Sequence, residues 1–132
     1  MQQGTVMEVV AAAVVVDGRL LVVSKGAAPD VFYLPGGKPE PGERPEETLA
    51  RELDEELGVV PRDVERLAVV EDVAALEGVP MRMEVFTATL SGTPVPAAEL
   101  AALRWTDGRD GVRLAPAVGG QVVPLLREAG RL

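Results

Sequence analysis

The chain has 132 residues, a formal net charge of −8 and a hydrophobic content of 47%, so we predict a single domain with one core over residues 1–132. The acidic balance disfavours binding to nucleic acid polymers and to anionic membranes. The absence of cysteine and histidine excludes disulfides, thiolate or imidazole metal sites, cysteine nucleophiles and Ser-His-Asp triads.

The N-terminal residues show neither a signal-peptide pattern nor a membrane segment. The longest uncharged apolar run, Val9–Val16, is far shorter than the roughly 20 residues that a membrane helix requires. We therefore expect a cytoplasmic protein without a membrane partner. Hydrolytic chemistry in such a chain depends on carboxylates, and oxygen ligands favour hard cations such as Mg²⁺ or Mn²⁺.

A β-hairpin is predicted near the start of the chain. Met7–Val16 is rich in valine, which suits a buried strand, and Asp17-Gly18 supplies a tight turn into a strand at Arg19–Val23. The polar segment Lys25–Phe32 contains glycine and proline, which predicts a loop. A short strand then enters a sharp turn in Tyr33–Gly37, where two glycines permit unusual backbone conformations.

Helical spacing begins at Pro45. Leu49, Leu53 and Leu57 recur every four residues, and Gly58 follows as a C-cap. The sequence therefore predicts an amphipathic helix at this place.

Two β strands are predicted after the helix. They cover Val64–Leu76 and Val79–Leu90 and are joined at Glu77-Gly78. The apolar positions of the second strand change phase near Val85. This change predicts either a β-bulge or burial of both faces of the strand.

The C-terminal part of the sequence predicts a loop, a last strand and a second helix. The loop covers Thr93–Pro96, the strand Leu103–Thr106 and the helix Gln121–Ala129, although Pro124 weakens the helical pattern. Strands alternating with about two helices indicate an α/β sandwich, in which helices cover a mostly central sheet.

Three carboxylates lie on one edge of the first predicted helix. At about 100° per residue, Glu52, Glu55 and Glu56 fall within an arc of about 100° beside the leucine stripe. A solvated acidic helix face would explain an isolated pair of them. Three together repel one another unless a divalent cation joins them, so their spacing favours a Mg²⁺ site.

The same glutamates belong to a longer pattern. It reads Gly37, five residues, Glu43, seven residues, Arg51-Glu52-Leu53, one residue, Glu55-Glu56, one residue and Gly58-Val59. A chance match to these identities has a probability on the order of 10⁻⁶ across the sequence. At these positions the chain resembles the Nudix hydrolase family and its MutT-like members, because every position of the family signature is present.

The resemblance implies a Nudix α/β/α sandwich with a mixed central sheet. It also implies a Mg²⁺-dependent hydrolase, with Mn²⁺ as a substitute, in which water attacks phosphorus in a diphosphate linkage. The implied metal ligands are the Gly37 carbonyl, Glu43, Glu52, Glu55, Glu56 and Glu99. Arg51 is implied to orient a carboxylate, and the general base is either Glu52 or Glu55.

Three further residues are predicted to contact the substrate. Lys38 follows the double glycine and is a candidate contact for phosphate. Tyr33 and Trp105 are candidates for stacking on a base, since a base needs a flat apolar partner. Packing in the core is the competing explanation for both aromatic side chains.

The chain has the size of a MutT-like protein and lacks the markers of several substrate groups. Ala74 lies where the ADP-ribose group tends to have proline. The leading prediction is a nucleoside triphosphate pyrophosphohydrolase, and the alternative is an ADP-ribose or nucleotide-sugar pyrophosphatase. A non-catalytic nucleotide-sensing Nudix domain and a related isomerase are the other classes. The expected partner is a small nucleotide, and a homodimer stays open.

The negative charge is unevenly distributed along the chain. Residues 38–56 hold eight acidic and three basic residues, a net charge of −5, which leaves −3 for the rest. Most of the excess therefore lies in the signature. A bound Mg²⁺ would let this segment accept a diphosphate that the bare protein repels.

Overall fold

The computed structural model describes residues 5–132. Residues 1–4 lie outside the described residues. They are part of the predicted domain and of the N-terminal segment for which no signal peptide is predicted. The single domain over residues 1–132 therefore stays a prediction. Within the described part, no helix is long and apolar enough to cross a membrane.

Residues 5–132 form eight strands, two α-helices and a π-helical turn. The strands are β1 (Met7–Ala13), β2 (Val15–Val16), β3 (Arg19–Lys25), β4 (Ala28–Tyr33), β5 (Gly36–Gly37), β6 (Pro61–Val73), β7 (Pro80–Leu90) and β8 (Leu100–Thr106). Helix α1 spans Pro45–Leu57, and the π-helical turn at Val118–Val122 leads into helix α2 at Val123–Glu128.

The strands form two four-stranded sheets. The first has the order β5-β1-β7-β6. It is mixed, because β1 pairs with β7 in parallel and the other pairs are antiparallel. In the second sheet β3 pairs with β2, β4 and β8, all antiparallel. The predicted mixed sheet is confirmed.

A helix covers each side of the sheets, because successive side chains of a strand point to opposite faces. Along β3, Leu21 and Val23 join the core under α1, whereas Leu20 and Val22 join the core under α2. The α/β/α sandwich expected from the sequence is therefore confirmed.

Helix α1 forms where the sequence predicts it. Leu49, Leu53 and Leu57 are buried on one face. At the N-terminal end, the Arg44 backbone N–H donates to the Glu47 carboxylate at 2.8 Å, which satisfies one of the donors that a helix start leaves unpaired. At the other end Gly58 has φ = 66°, the left-handed conformation that favours glycine at this position.

The prediction of a loop at Lys25–Phe32 is wrong, because most of this segment is strand β4. A turn after Lys25 is followed by strand β4, which pairs with β3 at two positions, Val23 with Tyr33 and Lys25 with Ala28. Pro29 fits this strand because the pairing is sparse and proline has no backbone N–H to donate to a ladder. Glycine and proline therefore mark a tight hairpin and an edge strand here.

The β6–β7 hairpin confirms the second pair of predicted strands, although β6 spans Pro61–Val73 rather than Val64–Leu76. Burial of both faces of β7 explains the phase change, and the β-bulge lies in the partner strand β6. Leu67 is an extra residue in β6, since its neighbours Arg66 and Ala68 pair with consecutive residues of β7. Next to this bulge, Val85 is buried in one core and Phe86 in the other.

The last predicted elements are confirmed with different ends. The final strand starts at Leu100 rather than Leu103. The final helix begins as the π-helical turn at Val118 and ends at Glu128. Because Val118, Val122 and Leu126 are buried, packing compensates for the glycines within the turn.

Candidate functional site

A cavity of about 420 Å³ lies beside α1, and its lining divides by chemistry into two sets of residues, which we call the acidic half and the apolar half. The acidic half is lined by Lys25, Lys38, Glu40, Arg51, Glu52, Glu56 and Glu99, together with Gly36 and Gly37. The apolar half is lined by Met7, Val9, Leu34, Val73, Ala74, Ala75, Leu76, Met81, Met83, Ala115, Ala117 and Val118. Tyr33 and Glu77 also line the cavity.

Strand β5 brings the chain close to β1 at the floor of the acidic half. Gly36 pairs with Ala11, and the Ala12 N–H donates to the Pro35 carbonyl at 2.9 Å. Gly36 has φ = 150°, and a Cβ atom there would collide with the Val10 carbonyl oxygen. Glycine is required because no side chain fits between these two strands.

The carboxylate of Glu52 lies directly against Gly37. A Cβ atom on Gly37 would lie 2.6 and 2.7 Å from the two Glu52 carboxylate oxygens, so any side chain there would displace this carboxylate. The second glycine of the pair therefore provides the space that this carboxylate occupies.

Arg51 holds the loop that precedes α1. Its Nε donates to Glu43 Oε2 at 2.7 Å and its Nη2 donates to Glu43 Oε1 at 3.0 Å, a two-pronged ion pair. Its Nη1 donates to Glu52 Oε2 at 2.7 Å, and its Nη2 also donates to the Lys38 carbonyl at 3.1 Å. One guanidinium thus fixes the loop and the orientation of Glu52.

The Glu43 carboxylate is fully engaged inside this loop. Besides Arg51, Thr48 Oγ1 donates to it at 2.8 Å and the Glu40 N–H donates to it at 2.9 Å. The hydrogen bonds from Arg51 and from the Glu40 backbone lower the pKa of Glu43 to about 2. Glu43 is therefore an ionised anchor of the loop.

Glu56 is a buried carboxyl at the centre of the acidic half. It is 5% exposed, and its Oε1 accepts a hydrogen bond from the Gly36 N–H at 3.2 Å. Burial raises the pKa of Glu56 to about 7, and the negative charge of Glu52 contributes in the same direction. Such a perturbed carboxyl in a cleft is typical of a functional site.

Glu99 reaches the site from the loop before β8. The Ala97 N–H donates to the Glu56 carbonyl at 2.8 Å, which ties this loop to the C-terminal end of α1. The Glu99 carbonyl accepts a hydrogen bond from the Gly26 N–H at 3.1 Å, and its carboxylate pairs with Lys25 Nζ at 3.5 Å. A carboxylate far along the sequence thus lies beside the signature helix.

Tyr33 lines the same cavity and joins both cores of the protein. Its ring packs against both cores, and its hydroxyl is buried without a hydrogen-bond partner among residues 5–132. Burial raises the pKa of Tyr33, and the negative charges of Glu56, Glu99 and Glu77 raise it further. The phenol is therefore a protonated donor at physiological pH.

The cavity brings most of the predicted site residues together. Those that line it are Tyr33, Gly37, Lys38, Arg51, Glu52, Glu56 and Glu99. Glu43 and Glu55 are not among the lining residues. Glu43 is held by Arg51, and the Glu55 side chain is 55% exposed and lies 3.7 Å from the Arg51 guanidinium.

Trp105, a predicted substrate contact, does not line the cavity beside α1. It lines a separate cavity with Val15, Val16, Thr89, Leu90, Gly92, Thr93 and Pro94, and the two cavities share no residue. Its ring packs against the core under α1, because its position in β8 faces that side of the sheet.

The acidic half has the donor chemistry for a divalent cation. Glu52 Oε1 and Glu56 Oε2 accept no hydrogen bond from the part of the chain that the structure describes, so each carboxylate keeps one oxygen available. Within residues 5–132 no three acidic side chains already stand close enough to hold a metal ion. Carboxylate and carbonyl oxygens are the ligands that Mg²⁺ prefers.

Several lining residues have no distinctive signal in the sequence. Met7, Met81 and Met83 come from two strands that are adjacent in the first sheet, where Met7 pairs with Met81. Alternation predicts that such residues share a face but not that the face borders a cavity. Lys25 could be found only from the register of β3 against β8, where it pairs with Leu100.

The family of this chain follows from its match to a known domain. The model of the NUDIX domain matches residues 7–123. The chain belongs to the Nudix family. No curated protein sequence matches it.

Several solved structures share both fold and sequence with this chain. The Escherichia coli ORF135 protein is 32% identical, with a TM-score of 0.71, and the match covers 94% of this chain and 88% of that one. A MutT Nudix hydrolase from Burkholderia pseudomallei is 30% identical, with a TM-score of 0.74 and coverages of 92% and 96%. A UDP-X diphosphatase is 25% identical, with a TM-score of 0.79 and coverages of 100% and 67%. This Nudix protein is a hydrolase of the MutT-like type.

Proposed function

We propose that this Nudix hydrolase cleaves the diphosphate linkage of nucleoside diphosphate derivatives in a Mg²⁺-dependent reaction, with nucleoside triphosphates as the leading substrates. The observation that carries the proposal is the two-part cavity. The buried Glu56 and the partly buried Glu52 lie in one half and an apolar surface in the other. A molecule with a charged phosphate chain and a weakly polar group complements both.

The proposed metal ligands are Glu52, Glu56 and Glu99, with the Gly37 carbonyl at the floor and Glu55 reaching in from the exposed edge of α1. When bound, Mg²⁺ neutralises phosphate oxygens and makes a water molecule a stronger nucleophile. The mutual repulsion that contributes to the raised pKa of Glu56 supports this set, since a cation removes that repulsion.

Side chains of the protein would move the proton, orient the base and contact the phosphates. Glu52 lines the cavity and Glu55 does not, which supports Glu52 as the general base that takes the proton of the attacking water. Arg51 keeps the Glu52 carboxylate in one orientation through the 2.7 Å hydrogen bond. Lys38 and Lys25 offer positive charge to the phosphate chain, which leaves as pyrophosphate when the substrate is a nucleoside triphosphate.

A nucleotide sugar or ADP-ribose is the second proposed substrate class. The similarity to the UDP-X diphosphatase over the whole of this chain supports it. In both classes the partner is a small nucleotide rather than a nucleic acid polymer. Such metabolites fit a cytoplasmic enzyme, and a homodimer is compatible with this site.

Product analysis of a substrate panel tests the proposal. The panel contains ATP, the four deoxynucleoside triphosphates, ADP-ribose, a nucleotide sugar and a dinucleoside polyphosphate, each with Mg²⁺ and with EDTA. AMP plus pyrophosphate from ATP supports the leading class, whereas AMP plus ribose 5-phosphate from ADP-ribose supports the second. Binding of these molecules without turnover would contradict the enzyme and favour a nucleotide-sensing domain.

A further inference from the structure

The cavity contains a single uncharged polar side chain among the residues that the structure describes, which is Tyr33. All the other polar side chains in its lining are charged lysine, arginine or glutamate residues. These charged residues make up the acidic half, except for Glu77, which belongs to the β6–β7 turn. A group that enters the apolar half therefore meets very few side chains that can recognise it by hydrogen bonding.

Among the described lining residues, Tyr33 offers the only uncharged side-chain donor, since Glu77 is an acceptor. The ring packs against both cores, which restricts its movement. The hydroxyl is buried and has no partner within residues 5–132. Leaving a buried hydroxyl unpaired is costly, and a ligand that supplies an acceptor removes the cost.

Three methionines of the cavity lining can adapt their shape to an entering group. Met7, Met81 and Met83 line the apolar half, and an unbranched thioether side chain changes shape at little cost. An entering group can thus displace side chains rather than backbone.

We infer that the Tyr33 hydroxyl is the specificity-determining donor of the apolar half, where it hydrogen-bonds to an acceptor atom of the substrate's nucleobase. This inference rests on the proposed function, because it assumes that the apolar half receives the base end of a nucleotide. Shape and dispersion contacts admit bases in general, and the one hydrogen bond separates those with a suitably placed acceptor from the others.

The test compares wild type with Tyr33→Phe by calorimetric titration in Mg²⁺. The probes are the four deoxynucleoside monophosphates, which carry a base but no cleavable diphosphate, and inorganic pyrophosphate, which has no base. We expect Tyr33→Phe to weaken binding of the preferred monophosphate about tenfold, the loss expected for one hydrogen bond. The affinity for pyrophosphate and the Tm should stay within error.

Ser24→Ala is the matched control. Ser24 also has a buried hydroxyl without a partner in residues 5–132, but it does not line the cavity. Its removal should leave all five affinities unchanged. This control separates recognition by a hydroxyl in the cavity from any general effect of deleting a buried hydroxyl.

Three results would overturn the inference. They are unchanged monophosphate affinities in Tyr33→Phe, equal weakening of pyrophosphate, which would place the hydroxyl with the glutamates, and no monophosphate binding to wild type at all. These readouts do not require turnover. A protein that binds monophosphates through Tyr33 but cleaves no diphosphate would refute the proposed function and leave this inference standing.

Discussion

The two halves of the cavity are built in opposite ways. In the acidic half, Arg51 ties Glu43, Glu52 and the Lys38 carbonyl together with hydrogen bonds of 2.7 to 3.1 Å. In the apolar half, methionines and small side chains line the wall without such ties. Bond cleavage needs fixed geometry, whereas adaptable side chains tolerate different groups. Under the proposed function, the reaction takes place in the acidic half and the apolar half selects the substrate.

The largest expected effect comes from a substitution that changes the acidic half alone. Glu52→Gln keeps the size of the side chain but removes its charge and its ability to take a proton. We expect turnover of ATP to fall on the order of 10³-fold, as for loss of a catalytic acid or base. Steady-state kinetics measure this, with Asp54→Asn as control, because Asp54 is an exposed carboxylate of the same helix.

An unchanged rate in Glu52→Gln would refute the proposed role of the signature glutamates. A comparable loss in Asp54→Asn would show that the helix needs its overall negative charge rather than one carboxylate at the cavity.

The position of Glu52 can be changed without altering its chemistry. Gly37→Ala places a methyl group where the Glu52 carboxylate now lies, so the carboxylate must move. We expect a loss of turnover of about 100-fold, since small displacements of a catalytic group have effects of this order. Gly26→Ala is the control, because a Cβ atom there meets nothing within 4 Å. Full activity in Gly37→Ala would contradict the claim of fixed geometry.

The burial of Glu56 should appear in the stability of the metal-free protein. Its pKa rises from an ordinary 4.5 to about 7 in the folded chain. Its stabilising contribution is therefore complete below pH 4.5 and lost as the pH rises through 7. The shift corresponds to about 3 kcal/mol at most. In EDTA, the free energy of unfolding of Glu56→Gln should rise relative to that of wild type as the pH increases from 4.5 to 8.

Chemical denaturation at the two pH values measures this change in the free energy of unfolding. Glutamine can still accept the hydrogen bond from the Gly36 N–H, so the comparison isolates the charge. A constant difference between variant and wild type across this range would show that Glu56 is not held in a desolvated site.

The smallest effect is expected in the apolar half. Met81→Ala removes part of the adaptable wall while leaving the glutamates in place. We expect a several-fold increase in KM for nucleoside triphosphates with kcat unchanged, since the lost contacts are apolar and modest in energy. Met81→Leu keeps most of the volume and should resemble wild type. A fall in kcat with an unchanged KM would contradict the separation of the two halves.

The acidic half could largely be predicted from the sequence because its parts are close along the chain. The glycine pair, the loop glutamate and helix α1 lie within residues 36–58, where helical spacing alone puts Glu52 and Glu56 on neighbouring positions. The leucine repeat and the glycine C-cap likewise identify α1 itself. The grouping of these residues at one cavity therefore follows from local rules.

The apolar half depends on contacts between distant segments, which local patterns do not contain. Met7 and Met81 meet only because β1 and β7 pair in parallel. Trp105 faces another cavity because of the register of β8 against β3. The sequence does not predict strand β4 for a related reason: glycine and proline in Lys25–Phe32 indicate a loop unless the partner strand β3 is known.

The most direct test of the central claim is the fate of oxygen during turnover. The protein is incubated with ATP in H₂¹⁸O, with Mg²⁺ or with EDTA, and the products are analysed by mass spectrometry. We predict AMP and pyrophosphate, with one ¹⁸O atom in one of the two products, and no reaction in EDTA. Release of ADP and phosphate, or turnover that persists without a divalent cation, would contradict the account.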